Sequence, residues 1–354
     1  MKRITTNIIQ FRGSHYDFGF EQGKRLKDTY IIKNRENQWK LRKPQFQINV
    51  NETRDIFQRL DSHLWDELVG LQDALQWPMD RVLLEFGGYR NNIPRSGCSI
   101  LTGEDYMIRN YDYHPKTYEG RFVVFQPTDS GHATIGVSQR ITGRADGMNE
   151  KGLSMGYTFI HRKRPGDGFV CHMIGRLALE LCESVDEAVA LLKEIPHRGS
   201  FSYVLKDSKT MDATIVEASP RNVVVRNGNH CTNHFEKQTN ENRHYLEDSK
   251  RRMQILEESS NKLRSAKEAY HLLNDLDKGL FSTDYRNWAG TIHTTAYFPK
   301  TLNIWIALGN QPEPMSFNFS QWLHGKNISE TKLSGDIDTT IPFLHMERAD
   351  WFHN

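Results

Sequence analysis

RSGCSILTGEDYMIRNYDY, residues 95–113, decides how this chain is read. Cys98–Leu101 and Met107–Tyr111 are short strand-forming runs on either side of Gly103-Glu104-Asp105, a turn composition that folds the chain back on itself. The resulting hairpin returns Arg109 and Asp112 to the neighbourhood of Cys98. Gly97 stands directly before the cysteine, where it frees the backbone and leaves its own carbonyl unshielded by a side chain. Both features suit attack by the Cys98 thiol on the preceding peptide bond. Such cleavage between Gly97 and Cys98 would make Cys98 a new N-terminus, with its α-amine as general base. An α-amine titrates near about 8 and a thiol near about 8.5, so a modest shift lets them exchange a proton at neutral pH. The competing reading of Arg109 and Asp112 is a surface hairpin closed by a salt bridge.

The texture changes at this stretch. Upstream, the residues read as largely helical. Asp17–Lys27 carries Gly19 and Gly23 four apart, a spacing that suits close approach of another element. Asp55–Leu75 places apolar residues at spacings of three and four, as one amphipathic helix does, and Pro78 opens a short helix through Leu84. Downstream come hairpin-rich strands to about residue 160. A helical stretch from Met173 to Leu192 follows, with Ser184 as an internal N-cap. Strands are expected at Ser202–Leu205, Thr214–Glu217 and Asn222–Arg226, helices at Glu247–Glu258 and Ala266–Asn274, and a last strand pair at Thr291–Phe298 and Thr301–Leu308. Runs of hairpins separated from runs of helices predict an α+β sandwich rather than alternating βαβ units.

The bulk composition narrows the function classes. The chain has 354 residues, 46 basic and 44 acidic, for a formal charge of +2, so no polyanion partner is implied. The basic runs Arg162-Lys163-Arg164 and Lys250-Arg251-Arg252 are short and read as solvated faces. No apolar run matches a signal peptide or a membrane span, which leads to the expectation of a cytoplasmic protein. The four cysteines show no CxxC spacing, which argues against zinc or a disulfide framework; Cys171, Cys182 and Cys231 read as core packing. His161, His234 and His293 could line a pocket, but no HExxH or similar spacing marks a metal site, and no cofactor is expected. GMNEKG, 147–152, reads as a hairpin turn rather than a phosphate loop.

GCSI, RNYDY, DGMNEKGLSMGYTF and CTNHF, in this order, resemble the acyl-coenzyme A:isopenicillin N acyltransferase family, within the N-terminal-nucleophile hydrolases that include conjugated bile acid hydrolase and penicillin V acylase. The prefix FRGSHYDFGFEQG is similar to that family's propeptide opening, and the resemblance runs over roughly residues 9–312. It implies a four-layer αββα sandwich of two antiparallel sheets. It also implies that residues 1–97 form a helical prosegment, cleaved but retained, and that 98–354 form the catalytic domain. Cys98 would be the nucleophile, with Asp112 contacting its amine or thiol and Arg109 matching the arginine of the bile acid hydrolase pattern. Asn233 would supply an oxyanion amide, and Thr158 falls where the hydrolases carry a second oxyanion asparagine. The family's arginine near the C-terminal strands aligns with Ala289, leaving Arg286 or Arg109 to substitute. The implied partner is a small acyl amide or acyl thioester, with neither nucleic acid nor membrane, and with a homo-oligomer left open. Two other readings stand beside this one: an uncleaved relative that binds an acylated small molecule, and a conventional cysteine hydrolase using His234.

Overall fold

The computed structural model describes every residue except 34, 36–47, 92–96, 116–117, 161–164, 243–245, 264, 288 and 344–354. Arg95, Ser96, His161 and the run Arg162–Arg164 therefore lie outside the described residues. The chain opens with β1 (Lys2–Gly13), α1 (His15–Leu26), α2 (Val50–Leu60), α3 (Ser62–Leu75) and α4 (Met79–Phe86). Six strands follow: β2 (Gly97–Thr102), β3 (Met107–Tyr113), β4 (Arg121–Pro127), β5 (Thr134–Gln139), β6 (Gly143–Asn149) and β7 (Ser154–Ile160). Then come α5 (Cys171–Leu181), α6 (Val185–Glu194), β8 (Ser200–Lys206), β9 (Thr214–Ala218), β10 (Val223–Asn227) and β11 (His230–Cys231). The chain closes with α7 (Glu247–Ser260), α8 (Ala266–Leu273), β12 (Gly290–Phe298), β13 (Asn303–Leu308), β14 (Met315–Asn318), α9 (Phe319–Leu323) and β15 (Lys332–Ile337).

The strands form two sheets, one ordered β10-β9-β8-β7-β6-β5-β4-β1-β15 and the other β11-β2-β3-β12-β13-β14. They face each other: a side chain at Gly156 on β7 would meet Arg109 and Ile100 of the smaller sheet within 3.2 Å. Helices α1, α5 and α6 cover the larger sheet, with α3 packed on α1, and α7 and α8 cover the smaller one, where Leu256, Ala269 and Leu273 pack on Leu101, Ile108 and Ala296. The expected α+β, four-layer sandwich is the architecture of this chain.

Three expectations need correction. The prefix is not wholly helical, because Lys2–Gly13 is a strand inside the larger sheet. Its two faces have separate cores: Ile4 and Ile8 join the main core, whereas Ile9 and Phe11 pack with Phe18, Val123 and Phe125. The sheets are not purely antiparallel, since β1 runs parallel to β4. Asp55–Leu75 is two helices, broken at Asp61, whose carboxylate accepts from the His63 and Leu64 N–H groups and caps α3. Continuous apolar spacing across the break hid it.

Other local readings hold. Ser184 caps α6 by accepting from Glu187 N–H. Gly19 lets α1 and α3 touch, since a Cβ there would lie 2.0 Å from the Glu67 carbonyl oxygen. The GMNEKG segment is the β6–β7 turn, organised by Asn149 Oδ1 accepting from Lys151 and Leu153 N–H.

Candidate active site

The β2–β3 hairpin pairs Cys98 with Tyr111, Ile100 with Arg109 and Gly97 with Asp112. Strand side chains alternate faces. Cys98, Ile100, Arg109 and Tyr111 therefore share the inner face, toward the larger sheet. Ser99, Asn110 and Asp112 share the outer face, where Asn110 Nδ2 donates to the Leu273 carbonyl on α8. On the other edge of β2, β11 pairs Cys231 with Ile100, and the two residues that follow carry Asn233 to Cys98. One hairpin and a segment more than a hundred residues downstream thus meet at one cysteine.

The Cys98 sulfur is fully buried. Arg109 Nη2 donates to it at 3.2 Å, and the Asp112 backbone N–H also donates to it. Burial pushes the thiol pKa up, while Arg109 and that N–H pull it down. The Cys98 backbone N–H donates to Asn233 Oδ1 at 2.9 Å, and Asn233 Nδ2 donates across to the Phe159 carbonyl on β7 at 2.9 Å.

Arg109 is buried as well and is held from behind. Its Nη1 bonds Asp146 Oδ2 and the Ala145 carbonyl, each at 2.6 Å, and Nη2 bonds the Tyr157 carbonyl at 2.6 Å. The β5–β6 register shifts between Val137 and Ser138, opposite Asp146 and Arg144, leaving Ala145 as an extra residue. This bulge turns Asp146 inward, toward Arg109, and offers the Ala145 carbonyl to the guanidinium. His293 Nε2 lies 3.1 Å from Asp146 Oδ2, and Tyr297 OH donates to Oδ1 at 2.5 Å. Burial alone would raise the Asp146 pKa, but His293, Arg109 and Tyr297 outweigh it and hold it at about 2. Burial likewise opposes the charge of Arg109, and Cys98 and Asp146 more than compensate, raising its pKa.

Asp112 sits on the opposite side of the hairpin from the sulfur. Its Oδ1 accepts from Thr291 Oγ1 at 2.7 Å, and Oδ2 would lie 3.0 Å from a Cβ placed at Gly97. A side chain at position 97 would thus crowd the carboxyl that faces the Gly97–Cys98 peptide. Burial raises the Asp112 pKa to about 7, against the opposing pull of Arg252. Asp112 is therefore a carboxyl that can hold or release a proton near neutral pH.

A sequence profile described as acyl-coenzyme A:6-aminopenicillanic acid acyl-transferase matches residues 101–313. The chain belongs to this family. Among solved structures, penicillin V acylase from Agrobacterium tumefaciens is similar at 17% identity and TM-score 0.46, covering 64% of this chain and 86% of that one. A variant of conjugated bile acid hydrolase from Clostridium perfringens is similar at 13% identity and TM-score 0.46, covering 69% and 98%. The N-acylethanolamine-hydrolyzing acid amidase ortholog of Caenorhabditis elegans is similar at 13% identity and TM-score 0.43, covering 57% and 92%. A search of curated protein sequences returns no significant match.

Within this acyltransferase-family chain, the structure brings together Gly97, Cys98, Arg109, Asp112 and Asn233, but not Thr158. The Thr158 hydroxyl donates to the Thr232 carbonyl at 2.7 Å and lies 3.4 Å from Cys231 Sγ. It braces the segment that carries Asn233. His234 turns to α7, its Nδ1 lying 2.8 Å from Ser249 Oγ. Arg286 is exposed, and Ala289 precedes β12 without supplying a charge. The guanidinium that sequence reasoning missed is Arg252, in the run expected to be solvated. Only 4% exposed, it donates to the Cys98 carbonyl at 2.6 Å and to Asn233 Oδ1 at 2.9 Å. Arg252 shares a face of α7 with Met253 and Leu256, and that apolar spacing was the available signal. Asp146 was also missed, because nothing in GRADGMN announces a bulge.

Among the described residues, two overlapping groups have ligand-type atoms within 4.8 Å of one another: His15, His63 and Asp129, and His15, Asp61 and Glu180. Burial lowers the His15 pKa, but Glu180 outweighs it and holds the ring at about 9. His15 pairs with Asp129 and Glu180, and Arg176 with Glu180, so the two groups form one ion-pair network.

Proposed function

We propose that this protein is a cysteine amidase or acyltransferase that makes its own nucleophile by cutting between Gly97 and Cys98. The observation that carries the reading is the convergence on residue 98. A guanidinium lies on its sulfur, an amide oxygen on its nitrogen, and a protonatable carboxyl against the glycine before it. In maturation, Cys98 Sγ adds to the Gly97 carbonyl, the Gly97–Cys98 C–N bond breaks, and the nitrogen takes up a proton. Asp112 is the nearby group able to relay it. Water then hydrolyses the thioester, giving a Gly97 carboxylate, a free thiol and a free α-amine.

In turnover, the α-amine accepts the thiol proton as Sγ attacks an acyl amide or acyl thioester. The proton passes to the leaving group and a thioester remains on Cys98. Water or an acceptor amine releases the acyl group and restores the thiol. Arg109 stabilises the thiolate, and Asn233 positions the amine through Oδ1. Asn233 Nδ2 would supply an oxyanion donor on giving up Phe159. Thr158 contributes indirectly by fixing the 232–233 segment.

Intact mass spectrometry tests the maturation step. The expected result is two fragments, residues 1–97 and 98–354, and a single chain for Cys98→Ala. An acyl-amide panel with an electrophilic probe tests turnover, and Cys98 should carry the label. An uncut wild-type chain with full activity, lost on His234→Ala, would instead establish a conventional cysteine hydrolase.

A further inference from the structure

Arg144 is a fully buried guanidinium on the outer face of β6. Its Nη1 donates to the Thr142 carbonyl at 3.3 Å and the Gly143 carbonyl at 3.2 Å. Among the described residues, its Nε and Nη2 have no hydrogen-bond partner, and no carboxylate pairs with it. These two nitrogens form the side-on edge of the guanidinium, the edge with which Arg90 grips both oxygens of Asp167. Two equally buried arginines are matched: Arg109 meets Asp146 at 2.6 Å, and Arg176 meets Glu67 at 2.8 Å and Glu180 as well.

We propose that the side-on edge of Arg144 binds a small monovalent anion of about chloride's size, on the α5 side of the larger sheet. The site lies across the sheet from Cys98 and does not rest on the function proposed above.

The protein cannot supply that anion from its own side chains. Glu180 and Glu67 are the carboxylates whose charge reaches Arg144. All four of their oxygens are engaged. Glu67 Oε1 accepts from Gln22 Nε2 and Oε2 from Arg176 Nη2. Glu180 Oε1 pairs with Arg176 Nε, and Oε2 lies 3.3 Å from His15 Nε2. Neither carboxylate can turn to Arg144 without releasing Arg176 or His15. The remaining neighbours are cations. Burial, with repulsion from Arg176 and Arg121, holds the Arg144 pKa down at about 9 against the pull of Glu180 and Glu67. Arg144 still carries its charge at neutral pH.

A buried charge with no partner is strongly unfavourable. A water molecule would satisfy a donor without neutralising the cation. An anion takes both N–H groups at once and supplies the missing charge, in surroundings where that attraction is strengthened by low dielectric. Full burial beneath α5 selects an ion with no tail. A single charge matches the single guanidinium, whereas a dianion would carry a larger desolvation cost.

The test compares wild type with Arg144→Met in sodium chloride and sodium gluconate mixtures of constant total salt. Raising chloride from about 10 to about 300 mM should lift the wild-type melting temperature by about 2–4 °C. Arg144→Met should lose that rise, so the two proteins diverge as chloride increases. Crystals of wild type grown in sodium bromide should show an anomalous scattering peak within hydrogen-bonding reach of Nε and Nη2. Equal chloride responses in the two proteins overturn the proposal. So does a water at Arg144 in the bromide crystals, a result that decides the matter even if Arg144→Met fails to fold. A bromide peak with no chloride-specific rise in wild type means an adventitious ion only, and overturns it too.

Discussion

Two clusters of buried charge lie on opposite faces of the nine-stranded sheet, and one strand feeds both. On the inner face, Asp146 of β6 holds Arg109 against the Cys98 sulfur. On the outer face, Arg144 of the same strand approaches Arg176 and Glu180 of α5. There Arg176 meets Glu67 of α3 at 2.8 Å, His15 of α1 meets Asp129 at 2.8 Å and Glu180 at 3.3 Å, and Gln22 meets Glu67 at 3.0 Å. The bulge at Ala145 separates the two by turning neighbouring charges to opposite sides. Yet the clusters differ in what they join. The inner one joins the two sheets at a reactive atom. The outer one joins residues upstream of position 97 to residues downstream of it. Similar chemistry thus serves reactivity on one face and cohesion on the other.

The sharpest way to break the comparison is Cys98→Ala. It should abolish processing and amide turnover, a loss of at least about 10³-fold, while the melting temperature of the uncut chain stays within a few degrees of wild type. Asp146→Ala comes next. It strands Arg109 as an unpaired buried charge, at an expected cost of about 3–5 kcal/mol, and uncouples the thiol, so melting and iodoacetamide labelling should both suffer. Glu67→Ala removes one of the two carboxylates on Arg176, Glu180 remaining, and should cost less, about 1–3 kcal/mol. Its signature differs: the melting temperature should fall, while labelling of Cys98 is unchanged. Equal damage to labelling from both variants would erase the division of labour.

A smaller effect is expected with pH. The folded Asp112 titrates at about 7, whereas in the unfolded chain it titrates near about 4. Between those values the folded state holds the extra proton. Its contribution to stability is complete below about 4 and is lost as pH rises through about 7. In the uncut Cys98→Ala background, adding Asp112→Asn should flatten this decline in a melting-temperature series. The smallest effect belongs to Thr158→Val, about 1 kcal/mol from one buried hydrogen bond, with kcat reduced less than by any change at Arg109.

The hairpin at 97–113 was legible because strand, turn and glycine signals agreed over seventeen consecutive residues. Cys98, Arg109, Asp112 and Asn233 followed from motifs that pairing then brought together. Three features escaped for distinct physical reasons. The β1 strand shares its alternation with many amphipathic segments, and its burial on both faces depends on partners more than a hundred residues away. Arg252 looks like part of a solvated basic run, since its burial is set by where α7 lands. Asp146 gains its role from a bulge, which is a property of two paired strands rather than of one. Thr158 shows the converse: a motif position can be right while its side chain is spent on a neighbouring carbonyl.

The position of β1 has a consequence for how the molecule assembles. β1 lies between β4 and β15, pairing with β4 along Asn7–Gly13 and with β15 along Lys2–Asn7. Residues from the two extremes of the chain therefore complete one sheet, and they do so across the largest sequence separations in the fold, the kind of contact that forms slowly. Until β15 docks, β1 presents an open edge ready to recruit a foreign strand. A nick at residue 97 would leave a two-piece sheet in which the short piece supplies an interior strand, and parting the pieces would mean opening the sheet along both of its seams.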